Sequence, residues 1–284
     1  MNKFFSTLIF LVSFCFVSVA QWTQLNSTDL EESNIRTLIK SGSVVIGYDD
    51  GGSGIFRSTD NGKNWSYAGY GLDSLGGEIR GHGVLGSNIY LLVHNEYSDQ
   101  IYKSSNNGLS WSRVYPVGLP QSNTFGITGI GSANNKLFLF IRSWNYNDSL
   151  FIYYSSDGIN FTKGVLAAVN SSHDVRIAGH NTSKVFYSID NMAFYTTNGT
   201  AFDTIRATGM SGDFGSFSWS FSSETSGNYI YYIDNNNVLT YDFVNKKWNK
   251  IAGNIPVTQS PNNIVAAENI VFLSTVQFVP TVAI

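Results

Sequence analysis

"RSTDNGKNW" occupies Arg57–Trp65 and "KSSNNGLSW" occupies Lys103–Trp111, the same order of Ser, Asp or Asn, Gly and Trp, 46 residues apart. A period of this size is the mark of a fold assembled from copies of one supersecondary unit. Three further copies occur downstream: "YYSSDGINF" (Tyr153–Phe161), "FYTTNGTAF" (Phe194–Phe202) and a reduced "TYDFVNKKW" (Thr240–Trp248) that keeps Asp242 and Trp248. The closing aromatics Trp65, Trp111, Phe161, Phe202 and Trp248 are separated by 46, 50, 41 and 46 residues.

Each copy begins at the end of a β-rich run: "GIFRS", "QIYKS", "FIYYS" and "MAFYT". A second run precedes it ("VVIGY", "IYLLVH", "LFLFIR", "VFYSI", "YIYYI"), and a third precedes that ("NIRTLI", "EIRGHGVL", "FGITGI", "DVRIAG", "FSWSFS"). A fourth short run comes after each aromatic. Many of these runs are apolar at both parities, which predicts strands buried on both faces. Four strands per period predict an all-β fold, a β-propeller of four-stranded antiparallel blades. Aromatics at 15% and charged residues at 13% suit a turn-rich β chain rather than a disordered or coiled-coil one.

The stretch Ser58-Thr59-Asp60-Asn61-Gly62-Lys63-Asn64-Trp65 resembles the Asp-box, S-x-D-x-G-x-x-W, of sialidase-like BNR-repeat propellers. Ser104, Asn106, Gly108 and Trp111 match it with Asn in place of Asp. Asp157, Gly158 and Phe161, and then Asn198, Gly199 and Phe202, belong to copies one residue shorter. The resemblance makes the box the turn between the third and fourth strands of a blade. Asp60 then accepts backbone N–H groups inside the turn. Gly62 supplies a backbone shape that a Cβ opposes, and Ser58 bonds locally. Trp65 carries apolar area into the seam beside the neighbouring blade. The repeat is thus a folding device, and function lies in sites grafted onto it.

Residues 1–20 read as a secretory signal peptide: Lys3, an apolar stretch from Phe4 to Val17, then small Ser18 and Ala20. The stretch is too short for a membrane anchor, and it contains the only cysteine, Cys15. Residues 21–284 are then a single propeller domain in a secreted, periplasmic or cell-surface compartment. Trp22 in "QWTQL" stands 43 residues before Trp65 and reads as an outer strand. Asn263–Ala267, Ile270–Val276 and Phe278–Ile284 offer the three inner strands it lacks. The termini would share a blade, giving six blades and a ring without free edges. The alternative is a chain cut inside a larger ring, as the apolar ending "FVPTVAI" allows.

Loops between strands two and three, and between blades, lie opposite the boxes. In sialidase-like proteins the resemblance places the active site there. Candidates on that face are Tyr48, Asp49 and Asp50, then Glu96 and Tyr97, then Trp144 and Tyr146. Aromatics among polar groups suit sugar stacking, and carboxylates suit hydroxyl recognition or glycoside chemistry. Arg36 ("NIR"), Arg80 ("EIR") and Arg176 ("DVR") stand at one register of the innermost strands. They resemble the carboxylate clamp of sialidases, because guanidinium forks match carboxylates. Glu78 and Asp174 stand two residues before Arg80 and Arg176, on the same strand face, placed to neutralise them. The Arg-Ile-Pro segment of sialidases is missing, so no catalytic residue is assigned.

His82, His94, His173 and His180 have no metal-ligand spacing. "DDGGSG" lacks EF-hand spacing, and neither a nucleophile elbow nor a P-loop occurs, so no metal or cofactor is expected. A net charge of −3 without a Lys/Arg cluster argues against nucleic acid and membranes as partners. The leading reading is a non-catalytic monomer that binds a glycan or an extracellular protein. The alternative is a sialidase-type exo-glycoside hydrolase.

Overall fold

The structure is a computed structural model and describes residues 35–41, 43–49, 54–72, 77–95, 98–120, 124–143, 149–168, 176–180, 183–189, 192–205, 229–234, 237–250, 259–267 and 270–277. Every regular element among them is a strand. Blade one is β1 (Ile35–Ser41), β2 (Val44–Asp49), β3 (Gly54–Ser58) and β4 (Ser66–Tyr67). Blade two is β5 (Glu78–Leu85), β6 (Asn88–Asn95), β7 (Ser98–Ser104) and β8 (Ser112–Val114). Blade three is β9 (Phe125–Ala133), β10 (Lys136–Ser143), β11 (Ser149–Ser155) and β12 (Thr162–Ala168). Blade four is β13 (Arg176–His180), β14 (Val185–Ile189), β15 (Met192–Thr196) and β16 (Asp203–Ile205). All four are antiparallel and run in sequence order.

Next in the chain is a three-stranded sheet of β17 (Tyr229–Asp234), β18 (Asn237–Asp242) and β19 (Lys247–Lys250). A two-stranded sheet of β20 (Gln259–Ala267) and β21 (Ile270–Gln277) ends the described chain. The sheets are arranged as a β-propeller. Innermost strands meet from blade to blade: β5 lies on β9, β9 on β13, and β20 on β1. The expected signal peptide, the strand around Trp22, the run "FSWSFS" and the strand Phe278–Ile284 lie outside the described residues.

The seams between blades explain the apolar runs at both parities. In β6, Ile89, Leu91 and Val93 pack with Ile39, Ile46 and Tyr48 of blade one. The alternate residues Tyr90 and Leu92 pack with Leu137, Leu139 and Ile141 of blade three. The pattern shifts on by one blade in β10, where Phe138 and Phe140 meet Val185 and Tyr187. A strand buried on both faces cannot alternate apolar with polar residues. Each such side chain contributes on the order of 1.5–3 kcal/mol by leaving water.

The closing aromatics do not all enter a seam. Trp111, Phe161 and Trp248 are buried, at 5%, 6% and 3% exposure. Trp65, expected to be buried, is half-buried against Leu38 and Val45. Phe202 is 42% exposed and sits edge-on over Phe194 of its own blade, with ring centroids 5.5 Å apart.

The innermost strands correct the arginine register. The ladder from β1 to β2 passes from Ile35 to Thr37 and skips Arg36. The ladder from β5 to β6 passes from Ile79 to Gly81 and skips Arg80. Arg36 and Arg80 are therefore bulge residues. In β13 the skip falls at Ala178, and Arg176 is an ordinary paired residue opposite Ser188. One extra residue in a strand re-aims the side chains around it, so equal spacing in sequence does not put Arg176 in the register of the other two.

Candidate functional site

The box turns are built alike. Ser58 Oγ donates to Asp60 Oδ1 at 2.8 Å and accepts the Gly62 N–H at 2.9 Å. Asp60 Oδ1 also accepts the N–H groups of Lys63 (3.1 Å) and Asn64 (2.9 Å). In blade two, Ser104 Oγ donates to Asn106 Oδ1 at 2.8 Å and accepts Gly108 N–H at 2.9 Å, and Asn106 Oδ1 accepts Ser110 N–H at 3.0 Å. In blade three, Asp157 Oδ1 accepts the N–H groups of Ile159 and Asn160, both at 2.8 Å. Asn198 does the same for Thr200 and Ala201, and Asp242 for Val244 and Asn245. A short polar side chain folding back on its own turn is a local motif. The backbone turns left-handed at Gly62 (φ 83°), Gly108 (φ 80°), Gly158 (φ 77°) and Gly199 (φ 80°). At Gly158 a Cβ would stand 2.2 Å from the Tyr90 hydroxyl oxygen of the preceding blade.

These hydrogen bonds favour the ionised carboxylate. The Asn64 backbone N–H, with its side-chain amide and the Ser58 hydroxyl, holds the Asp60 pKa down at about 2. The Asn160 side-chain amide and the N–H groups of Ile159 and Asn160 hold Asp157 lower still. The Asn245 amide lowers Asp242. A native pKa below the unfolded value of about 3.9 stabilises the fold above that value. The stabilisation is lost as pH falls through the native pKa. Stability should therefore be level above about pH 5 and fall between about pH 4 and pH 2. Asn106 makes the same acceptor bonds without titrating. Asp60→Asn with Asp157→Asn should therefore leave the urea midpoint at neutral pH little changed and flatten its fall in acid. An equally steep acid fall in the double variant would show that the boxes are not the acid-sensitive element.

Opposite the boxes, Tyr48 and Arg80 are engaged in the fold. Tyr48 is buried, and its hydroxyl accepts the Ile79 N–H of blade two at 2.8 Å. Arg80 Nε donates to Glu78 Oε2 at 3.2 Å, the neutralising pair expected from their spacing. Asp49 closes β2, Arg36 lies in β1 and Arg176 opens β13. Asp50, Glu96, Tyr97, Trp144, Tyr146 and Asp174 lie outside the described residues. Asp99, which sequence reasoning left out of the candidates, takes His94 Nδ1 at 2.7 Å on one oxygen and the Ile127 N–H of blade three at 3.0 Å on the other. Among the described residues no cluster of three or more His, Cys, Asp or Glu is placed to hold a metal ion.

Two glycines also escaped the sequence reading. Gly71 (φ 91°) lies beside the Trp111 carbonyl, and Gly118 (φ 87°) beside the Phe161 carbonyl. At this seam Trp111 N–H donates to Tyr70 O at 2.9 Å, and at the next Phe161 N–H donates to Val117 O at 2.8 Å. The available signal was the dipeptide Gly-Leu after the fourth strand, at Gly71-Leu72 and Gly118-Leu119.

No protein-family model matches the chain, and no curated protein matches it. Solved structures do match. One, described as a nidogen/laminin complex, aligns with a TM-score of 0.51 at 16% identity over 74% of this chain and 75% of that one. Another, YCF48 bound to a D1 peptide, aligns with a TM-score of 0.50 at 14% identity over 86% of this chain and 76% of that one. Both neighbours are β-propellers, and the likeness establishes the fold.

Proposed function

We propose that this chain is an exported, non-catalytic member of the Asp-box propellers that binds a glycan or an extracellular polypeptide through the face opposite its boxes. The observation that carries the reading is that Arg80, a candidate clamp arginine on that face, is already paired with an acid. Arg80 is tied to Glu78, Tyr48 to Ile79, and Asp99 to His94 and Ile127. A sialidase-type site needs arginines free to clamp a carboxylate, and a glycosidase built on a carboxylate pair needs two carboxyls either about 5–5.5 Å or about 6.5–9.5 Å apart across a cleft. Recognition asks less: aromatics and a few convergent polar groups. Asp49, Asp50, Glu96, Tyr97, Trp144 and Tyr146 are the contacts proposed for it, with Arg36 and Arg176 nearer the ring axis. The polypeptides named with the two structural neighbours are compatible with this use of the fold.

A six-bladed ring is part of the proposal. It is supported by the six sheets and by β20 lying against both β17 and β1. A blade shared by the two termini supplies the strands that the two-stranded sheet lacks; counting blades in electron-microscopy projections tests it. The binding reading is tested with a glycan array and a pull-down from the extracellular fraction. A ligand should appear in one of them and weaken with Trp144→Ala at unchanged thermal stability. Turnover of sialosides or aryl glycosides would overturn the non-catalytic reading, and silence in both binding assays would remove the binding one.

A further inference from the structure

We infer that His94 and Asp99 form an oriented dyad that anchors a glycan hydroxyl on the face opposite the boxes, an inference that rests on the binding reading and specifies its ligand chemistry. Glu78, His94 and Asp99 stand in one row across β5, β6 and β7: Glu78 pairs with His94, and His94 with Asp99. Side chains in such a row share one face of the sheet. Asp99 is held at two points, by the ring Nδ1 at 2.7 Å and by the Ile127 N–H at 3.0 Å.

An ionised carboxylate only accepts hydrogen bonds. The proton between the two groups therefore sits on His94 Nδ1, which leaves Nε2 at the open end of the ring. In the neutral ring Nε2 is a bare acceptor in a fixed direction, the orienting job that a carboxylate does for an imidazole. The Asp99 side chain is 15% exposed and that of His94 36%, so the anchored end is inward and the free end outward. Among the described residues Nε2 has no hydrogen-bond partner.

Next in the row, Glu78 keeps unused acceptor sites and Arg80 keeps unused donors. A sugar hydroxyl both donates and accepts, so neighbouring hydroxyls match an alternation of acceptors and a donor. Holding Ile127 alone would not require an imidazole on the other carboxylate oxygen. The arrangement therefore fits a polyol, with binding of a polypeptide as the competing outcome.

The test uses the exported chain with isotope-labelled histidine, observed by NMR at mildly alkaline pH. His94 should show a protonated Nδ1 and an unprotonated Nε2. Methyl glycosides of the common hexoses are then titrated in, and at least one should move the Nε2 resonance. Asp99→Asn keeps a carbonyl oxygen for Ile127 but turns an amide donor toward Nδ1, which moves the ring proton to Nε2. Glycoside affinity should fall about tenfold or more in that folded variant. His94→Asn should lose as much, because its short amide still reaches toward Asp99 but places nothing where Nε2 stood. A protonated Nε2 in the unaltered chain overturns the dyad. So does glycoside binding that depends on Trp144 but leaves Nε2 unmoved, an outcome that keeps the binding reading intact. Capture of a polypeptide with no glycoside bound overturns the hydroxyl assignment, and the absence of either ligand removes the binding reading itself.

Discussion

Trp111→Ala should lower the free energy of unfolding by about 3–5 kcal/mol, the usual loss when a large buried aromatic is cut back to a methyl group. Trp111 is 5% exposed and packs among Ile46, Ala68 and Tyr102 at the seam of blades one and two. Its indole N–H donates to the Ala68 carbonyl at 3.0 Å. The variant therefore opens a cavity and also strips a donor from a buried acceptor. Two further variants calibrate it. Trp65→Ala should cost less, because Trp65 is only half-buried. Phe202→Ala should cost least, because Phe202 is 42% exposed. Urea midpoints at unchanged m-value measure the series. If Trp111→Ala proved no more damaging than Phe202→Ala, the seam would not be where the fold is held.

Gly71→Ala should be comparably damaging, by roughly 2–6 kcal/mol, from backbone strain and overpacking together. Its φ of 91° is one that L side chains rarely adopt, and a Cβ would stand 2.1 Å from the Trp111 carbonyl oxygen. That oxygen belongs to backbone already fixed by the bond from Trp111 N–H to Tyr70 O. Relief would require the two blades to part. Gly86 is the internal control: its φ is also positive, at 61°, yet nothing lies within 4 Å of its Cβ position. Gly86→Ala should cost about 1 kcal/mol, from strain alone. Equal melting temperatures for the two variants would rule out the close approach of blades as the reason for Gly71.

The amino-acid sequence by itself determined what is local. Ser58, Asp60 and Gly62 make their turn within five residues, and so do Ser104, Asn106 and Gly108. The turn is therefore legible wherever the spacing recurs. The apolar runs in β6 and β10 likewise announced strands buried on both faces, because a strand's side chains alternate between its two neighbours. Only the tertiary structure decided what depends on one blade meeting the next. The same box pattern places Trp111 inside a seam and leaves Phe202 over its own blade. A single skipped residue separates Arg80 from Arg176 although both come two residues after an acidic one, because strand register has a period of two and a bulge shifts it. Tyr48 ends the β-rich run "VVIGY", yet its hydroxyl is used by Ile79, 31 residues on. Asp99 gains its meaning from Ile127, 28 residues on in another blade. No spacing rule reports such partners, since the distance between them is set by how the blades pack.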